Sequence, residues 1–125
     1  MKIIFALCAL ILAGALAWFL LSSPHADHFG NAFRELPSAA IQDLVDKPAE
    51  YLKKDLRIEG ALSRQCPSTG CWFFLKDAAG KELKVEMGDT TPKLPQRLGK
   101  SATVEGELIR FGDGYEFIGT AVEFK

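Results

Sequence analysis

The sequence predicts an all-β domain, a five-stranded Greek-key barrel with short N-terminal helical pieces, carried behind one N-terminal transmembrane helix. Three observations lead there. Ile3 to Leu21 is nineteen residues without a polar side chain. From Lys54 onward, apolar residues alternate with polar ones at the two-residue period of strands. Two of those strands carry a glycine in mid-run, where a small barrel has to bend.

At 125 residues the chain holds one ordinary domain and little else. Its 48% hydrophobic content is concentrated in the leader. Of the 15 Lys and Arg only Lys2 lies there, which leaves 14 against 16 Asp and Glu in residues 22–125, a net charge of −2. This composition excludes a multi-span transporter, a disordered chain and a strongly basic nucleic-acid binder. The expected organisation is a signal anchor over residues 1–21, a linker over 22–37 and a barrel domain over 38–125.

Nineteen residues at about 1.5 Å each reach about 28 Å, the hydrocarbon thickness a spanning helix has to match. A cleaved leader usually has an apolar core of only about 7–15 residues. Ala13-Gly14-Ala15 and Ala15-Leu16-Ala17 offer small-residue cleavage sites, yet cutting there leaves Trp18-Phe19-Leu20-Leu21 on the mature chain. An uncleaved anchor through residues 3–21 is therefore expected, with secretion to the periplasm after cleavage as the alternative. Lys2 and the terminal amine precede the apolar run, whereas the first basic residue after it is Arg34. The excess of positive charge keeps the N-terminus cytoplasmic and places the domain outside the cell or inner membrane. Cys8, within the leader, is expected to be an inert thiol.

Residues 22–37 show no clear period and contain Pro24, Gly30 and Pro37, so they are expected to be a tether. His25 and His28 form an H-x-x-H pair, which a helix would bring to one face as the start of a metal site. No Cys or carboxylate cluster beyond Asp27 completes it, and a solvated linker is the expectation. Ser38 follows Pro37 and can cap a helix whose apolar positions are Ile41, Leu44, Val45 and Leu52. Pro48 interrupts that run, and Asp46 can cap a second short turn over residues 48–52.

Strand periodicity begins with Leu56, Ile58, Gly60 and Leu62, alternating with Arg57, Glu59 and Ala61. Trp72 to Lys76 is a continuous aromatic and aliphatic run, and Asp77-Ala78-Ala79-Gly80 is a turn. Leu83, Val85 and Met87 alternate with Lys84 and Glu86; Ala102, Val104, Gly106 and Leu108 alternate with Thr103, Glu105 and Glu107. Gly112-Asp113-Gly114 then turns the chain into Tyr115 to Phe124. Ile58-Glu59-Gly60-Ala61-Leu62 and Val104-Glu105-Gly106-Glu107-Leu108 share a pattern that marks the first and fourth strands as the long, bent ones. Three strands, a connection from Gly88 to Lys100 and two more strands is the order of an OB-fold barrel, with an SH3-like barrel as the competing five-strand arrangement. Pro92 and Pro95 make that connection irregular.

The most informative segment is Gln65-Cys66-Pro67-Ser68-Thr69-Gly70-Cys71-Trp72-Phe73-Phe74, between the first two strands. Pro67 and Gly70 supply turn geometry and bring the cysteines back toward each other. Outside the cytoplasm a Cys66–Cys71 disulfide is expected, worth about 2 kcal/mol for so short a loop. Three functional readings compete with a purely structural bridge. Thiol-exchange catalysis usually employs C-x-x-C at a helix N-terminus, and four intervening residues in a strand-to-strand loop depart from that pattern. Copper(I) binding through the two thiolates would need help from Met87 or the histidines. The third is a redox-sensitive binding loop, because the loop after the first strand borders the usual OB ligand face.

Strand alternation sends Phe73 to one face and Trp72 and Phe74 to the other. One set fills the core, and the other either packs against the helical pieces or forms a stacking platform. Trp72 and Phe74, with Tyr115 nearby, are the candidate ligand-binding residues for a small planar or sugar-like ligand. Glu59, Glu86, Glu105 and Glu107 fall on the outward phase and would repel phosphate, so no nucleic-acid partner is expected.

Ile41-Gln42-Asp43-Leu44-Val45-Asp46-Lys47-Pro48-Ala49-Glu50-Tyr51-Leu52, followed by Ile58-Glu59-Gly60 and the C-P-x-x-G-C-W-F element, resembles small exported bacterial OB-fold proteins of the tRNA-anticodon-binding-like kind. That resemblance covers residues 38–125 and implies a fold and an envelope location. The chain is more loosely similar to the periplasmic haem chaperone of cytochrome c maturation, an OB barrel behind one anchor. That family attaches haem through an H-x-x-x-Y element late in the chain, whereas no histidine follows His28 here.

No triad, paired-carboxylate pocket, phosphate loop or complete metal set assembles in the sequence. The expected role is a membrane-anchored extracytoplasmic binding or accessory module with an envelope protein or small ligand as partner, and no cofactor. The nearest alternatives are a periplasmic thiol–disulfide redox protein and a copper or haem accessory protein.

Overall fold

The structure, a computed structural model, describes residues 1–21, 27–69, 71–88 and 93–125. In chain order its elements are α1 (Lys2–Leu21), β1 (Asp27–Gly30), α2 (Ile41–Asp46), a 3-10 turn (Pro48–Glu50), β2 (Asp55–Gln65), β3 (Trp72–Lys76), β4 (Glu82–Met87), β5 (Ser101–Phe111) and β6 (Gly114–Phe124). The expected irregular connection has no regular element in its described part, residues 93–100.

Long β2 changes partner along its length. Residues 55–61 pair antiparallel with β5, and Ala61 to Gln65 pair with β3. From β3 the ladder continues antiparallel to β4, parallel from β4 to β6, and antiparallel from β6 back along β5. The circuit β2-β3-β4-β6-β5 closes a five-stranded barrel in OB-fold order, the predicted fold class. Period-two alternation fills it: Ile58 and Leu62, Phe73 and Leu75, Val85 and Met87, Val104 and Leu108, Phe117 and Val122 meet in one core. Burial of each large apolar side chain contributes roughly 1.5–3 kcal/mol.

The two mid-strand glycines sit where backbone approaches backbone. A Cβ on Gly106 would run into the carbonyl of Ile118, beside the register shift between Glu105 and Gly106. One on Gly60 would lie 2.9 Å from both Ile41 Cδ1 and the Lys76 carbonyl oxygen. Ile41 and Leu44 of α2 are thereby able to bury themselves against the barrel, while Val45 stays exposed.

Three local expectations are corrected. Ser38 does not cap α2: it bridges to Arg57, and Ala40 takes the cap position without a side-chain hydrogen bond. Lys47, rather than Asp46, precedes the turn at Pro48. The segment expected as a tether contributes β1, which pairs antiparallel with the far end of β6 and sets Phe29 against Phe124 at 5.9 Å between ring centroids. A four-residue strand is too short to register as a period, and its pairing is set by β6 rather than by its own sequence.

Glu105 keeps the phase that alternation gives it and is nevertheless buried. Placed on the outward phase by alternation, it is only 1% exposed. The chain following β1 crosses over it, and the N–H groups of Arg34 and Leu36 donate to its two oxygens while Arg57 lies 3.3 Å from Oε2. Burial works to raise its pKa, but those three donors together hold the carboxyl below its ordinary value.

Candidate functional site

The outer face of β3 carries Trp72 and Phe74, two of the three expected aromatic residues; Tyr115, on β6 in the phase of buried Phe117, is half-buried against the core. Phe73 points inward and is fully buried, so alternation leaves Trp72 and Phe74 half-buried on the outside. Their rings meet edge to face at 6.1 Å, an arrangement aromatic quadrupoles favour. Phe74 also lines a shallow depression of about 250 Å³ together with Tyr115, Leu44, Val45 and Lys84. Phe74 thus links the three residues the sequence singled out: it touches Trp72 on one side and shares the depression with Tyr115 on the other.

Cations that sequence reasoning missed border every one of these rings. Arg64 stacks its guanidinium 3.9 Å from the Phe74 centroid and pairs with Glu82 at 3.0 Å. Lys84 Nζ stands 5.9 Å from the Trp72 centroid, 2.9 Å from Glu116 and 3.8 Å from Glu86. Its hydrogen bond to Glu116 raises its pKa from the ordinary lysine value. Arg110 lies 5.6 Å from the Tyr115 centroid. Of the three only Lys84 was legible as outward; Arg64 falls on the inward phase of Leu56 to Leu62 and is turned out after the register shift between Leu62 and Arg64, and Arg110 lies on the phase of Leu108 at the exposed end of β5.

Beside this face stands the Cys66–Cys71 loop. The Cys66 N–H donates to the Trp72 carbonyl, and the Cys71 carbonyl accepts from Met87 N–H. From the other side the loop is held by residues 94–97. Leu94 N–H donates to the Thr69 carbonyl, and Gln96 Nε2 donates to the Cys66 carbonyl at 2.8 Å. Buried Gln65 completes the contact, giving a hydrogen bond to Pro95 and taking one from Arg97 N–H. Gln65 heads the segment the sequence singled out, but its role as the clamp of the loop was not legible there.

The expected bridge is not what the structure holds: Cys66 and Cys71 are both free thiols. Thr69 Oγ1 lies between them, 3.4 Å from Cys66 Sγ and 2.9 Å from Cys71 Sγ, and Ser68 Oγ adds a contact to Cys66 at 3.3 Å. The Ser68 and Thr69 hydroxyls, followed by the N–H groups of the same residues, lower the Cys66 pKa to about 6. The thiol is covered by its own loop rather than sunk in the core, so the opposing cost of desolvation is small beside four hydrogen bonds. Cys71, half-buried, is the more accessible sulfur.

The other ligand candidates do not converge on this site. His25 lies outside the described residues. His28 belongs to β1, where Nε2 donates to the Asn31 carbonyl at 2.7 Å and Nδ1 lies 3.5 Å from Glu123. Met87, a potential copper helper, is buried in the core against Gly119. Among the described residues no group of three or more His, Cys, Asp or Glu stands close enough to hold a metal ion. A larger depression of about 440 Å³, lined by Glu59, Lys76, Thr103 and Lys125 among others, includes none of the expected residues.

No family model matches the sequence, and no curated protein is similar to it at a significant level. Among solved structures, one described as an aspartyl-tRNA synthetase from Leishmania major Friedlin is similar over 75% of this chain, with a TM-score of 0.52 and 12% identity. This chain spans about a fifth of that protein's length, 21%. A likeness at that identity carries the barrel architecture alone.

Proposed function

We propose that the chain is a membrane-anchored, extracytoplasmic OB-fold binding or accessory module whose outer β3–β4 face takes a small planar or sugar-like ligand, free or presented by an envelope partner. One observation carries this reading: Trp72 and Phe74 stand half-buried and edge to face on the side of the barrel that OB-folds use for ligands, next to a depression shared with Tyr115. Rings bordered by polar side chains suit a ligand with a flat apolar face and a hydrogen-bonding rim. Arg64 and Lys84 are already paired with Glu82 and Glu116, so the face is mixed in charge rather than basic, which disfavours a phosphate backbone. Anchoring rests on α1, long and apolar enough to cross a membrane, and orientation on Lys2 before it and Arg34 after it.

The chain has two tryptophans, so Trp18→Phe leaves Trp72 as the sole indole reporter. Fluorescence titration of that variant with a panel of oligosaccharides and planar heterocycles is expected to give a saturable change with at least one class. Phe74→Ala should weaken it at least tenfold. A panel-wide lack of saturation, or a response indifferent to Phe74, removes the reading.

A further inference from the structure

We propose that Cys66 and Cys71 form a redox-active dithiol that exchanges with small-molecule disulfides, with Cys71 as the entering sulfur, Cys66 as the resolving sulfur and Thr69 as the hydroxyl that positions and connects them. The inference stands independently of what occupies the aromatic face.

Geometry supports each role. Two sulfurs at 3.4 and 2.9 Å from the same oxygen are neighbours, in a turn whose ends are already paired across β2 and β3, the proximity that closing a disulfide of roughly 2.05 Å requires. A threonine hydroxyl has one proton to give, so it donates to one sulfur while accepting from the other. With Cys66 as the thiolate, the arrangement reads Cys71 S–H to Thr69 Oγ1, and Thr69 O–H to Cys66 sulfur. A proton can pass along that line, leaving the charge on Cys71, the more accessible of the two. The low pKa of Cys66 supplies the thiolate near neutral pH.

The chemistry balances in two displacements. The Cys71 thiolate attacks one sulfur of R–S–S–R′, forming Cys71–S–S–R and releasing R′S⁻, which takes a proton from solvent. Cys66, its proton given up to solvent, attacks Cys71 Sγ, forming the Cys66–Cys71 bond and releasing RS⁻, which is protonated in turn. Two protein thiols are oxidised and one disulfide is reduced to two thiols. The reverse sequence returns the pair to its dithiol form. Bridging also withdraws both sulfurs from Thr69, whose carbonyl holds Leu94, so the redox state acts on the clamp between the loop and residues 94–97.

The full chain carrying Cys8→Ala, in detergent micelles, is equilibrated with mixtures of reduced and oxidised glutathione, then alkylated and weighed. The pair should convert from dithiol to bridge within the accessible range of glutathione ratios. A pair that stays reduced throughout, or a bridge that resists excess reduced glutathione, overturns the proposal in favour of inert thiols or an inert staple. In the same background, oxidised glutathione should leave a mixed disulfide on Cys71 of Cys66→Ser, at least ten times more than accumulates on the intact pair. Equal accumulation on both proteins overturns the resolving role. The alkylation rate of Cys66 should level off above about pH 7, Thr69→Val should shift that profile upward, and Thr69→Ser should restore it. A profile indifferent to Thr69 overturns the part assigned to the hydroxyl. The redox titration needs only the native loop, so it decides the matter even where a cysteine variant folds poorly.

Discussion

A buried carboxylate shows how three donors outweigh a desolvation penalty. Glu105 lies under the chain that follows β1, held by the N–H groups of Arg34 and Leu36 and by Arg57. Glu105→Gln keeps the shape but turns one acceptor oxygen into a donor that faces another donor. The cost should be about 2–3 kcal/mol, the range for orphaning a buried polar group beside a charge. The folded pKa lies below the ordinary value of 4.5, so the charged form contributes stability at higher pH and loses it as pH falls through the folded value. The wild-type protein should therefore be more stable than Glu105→Gln at neutral pH, and the gap should narrow below about pH 4.5. Thermal unfolding of both proteins across pH 3–8 checks this; a gap independent of pH would mean the carboxyl is protonated at neutrality. Alternation placed this residue on the outer phase correctly. Its burial comes from a distant segment that carries no periodic signal.

At the scale of elements, glycine positions were among the most informative letters in the sequence, because strands that bend or touch need the missing Cβ. Gly106 faces the Ile118 carbonyl, and an alanine there has no free volume. Gly106→Ala should cost about 2–3 kcal/mol through displaced backbone. For a domain of this size that lowers Tm by roughly 10–20 °C. Gly112, in the β5–β6 turn with nothing within 4 Å of a Cβ, should cost less on substitution by asparagine, which tolerates its φ of 59°. Differential scanning calorimetry of the two variants decides between crowding and simple backbone preference. The same reasoning marks what was legible. Strands of five residues or more with strict alternation were readable, as was the opposed orientation of Phe73 against Trp72 and Phe74. The helix caps and β1 were not, because Ser38 and Asp27–Gly30 are fixed by their pairing with Arg57 and β6 rather than by local preference. The site was readable only in part: Trp72 and Phe74 follow from phase and Tyr115 only as an aromatic residue type, whereas Arg64 on Phe74 and the hydroxyl of Thr69 between two sulfurs follow from register and turn geometry.

For the whole molecule, the division between leader and domain has to be drawn by contacts. Residues 1–20 are exposed throughout, and none of the apolar span is buried in the protein. A membrane is the environment that would cover such a surface. By contrast β1 begins at Asp27, pairs with β6 over four residues, buries Phe29 against Phe124 and fixes Asp27 to Arg97 at 2.6 Å. The Asp27–Arg97 pair is partly exposed and adds little by itself. The ladder and the phenylalanine pair carry the larger share. Removing residues 1–21 should thus release a soluble barrel whose unfolding free energy in urea is unchanged to within about 0.5 kcal/mol. Removing residues 1–30 should cost about 2 kcal/mol or more, because it strips a strand from β6 and uncovers Phe124. Equal stability of the two truncations would return residues 27–30 to the status of a tether. The proposed orientation rests on charge: if Lys2 before α1 and the next basic residue at Arg34 set it, alkaline phosphatase fused after Lys125 should be active in cells and a cytoplasm-dependent fluorescent fusion dark. Moving positive charge across the span, by Lys2→Glu with Ser22→Lys and Ser23→Lys, should shift part of the population to the opposite pattern. If the fusion reports the cytoplasm in the unaltered chain, the extracytoplasmic placement fails. The glutathione equilibrium of the thiol pair remains measurable on the purified protein in either case, because it depends on the loop and not on the side of the membrane.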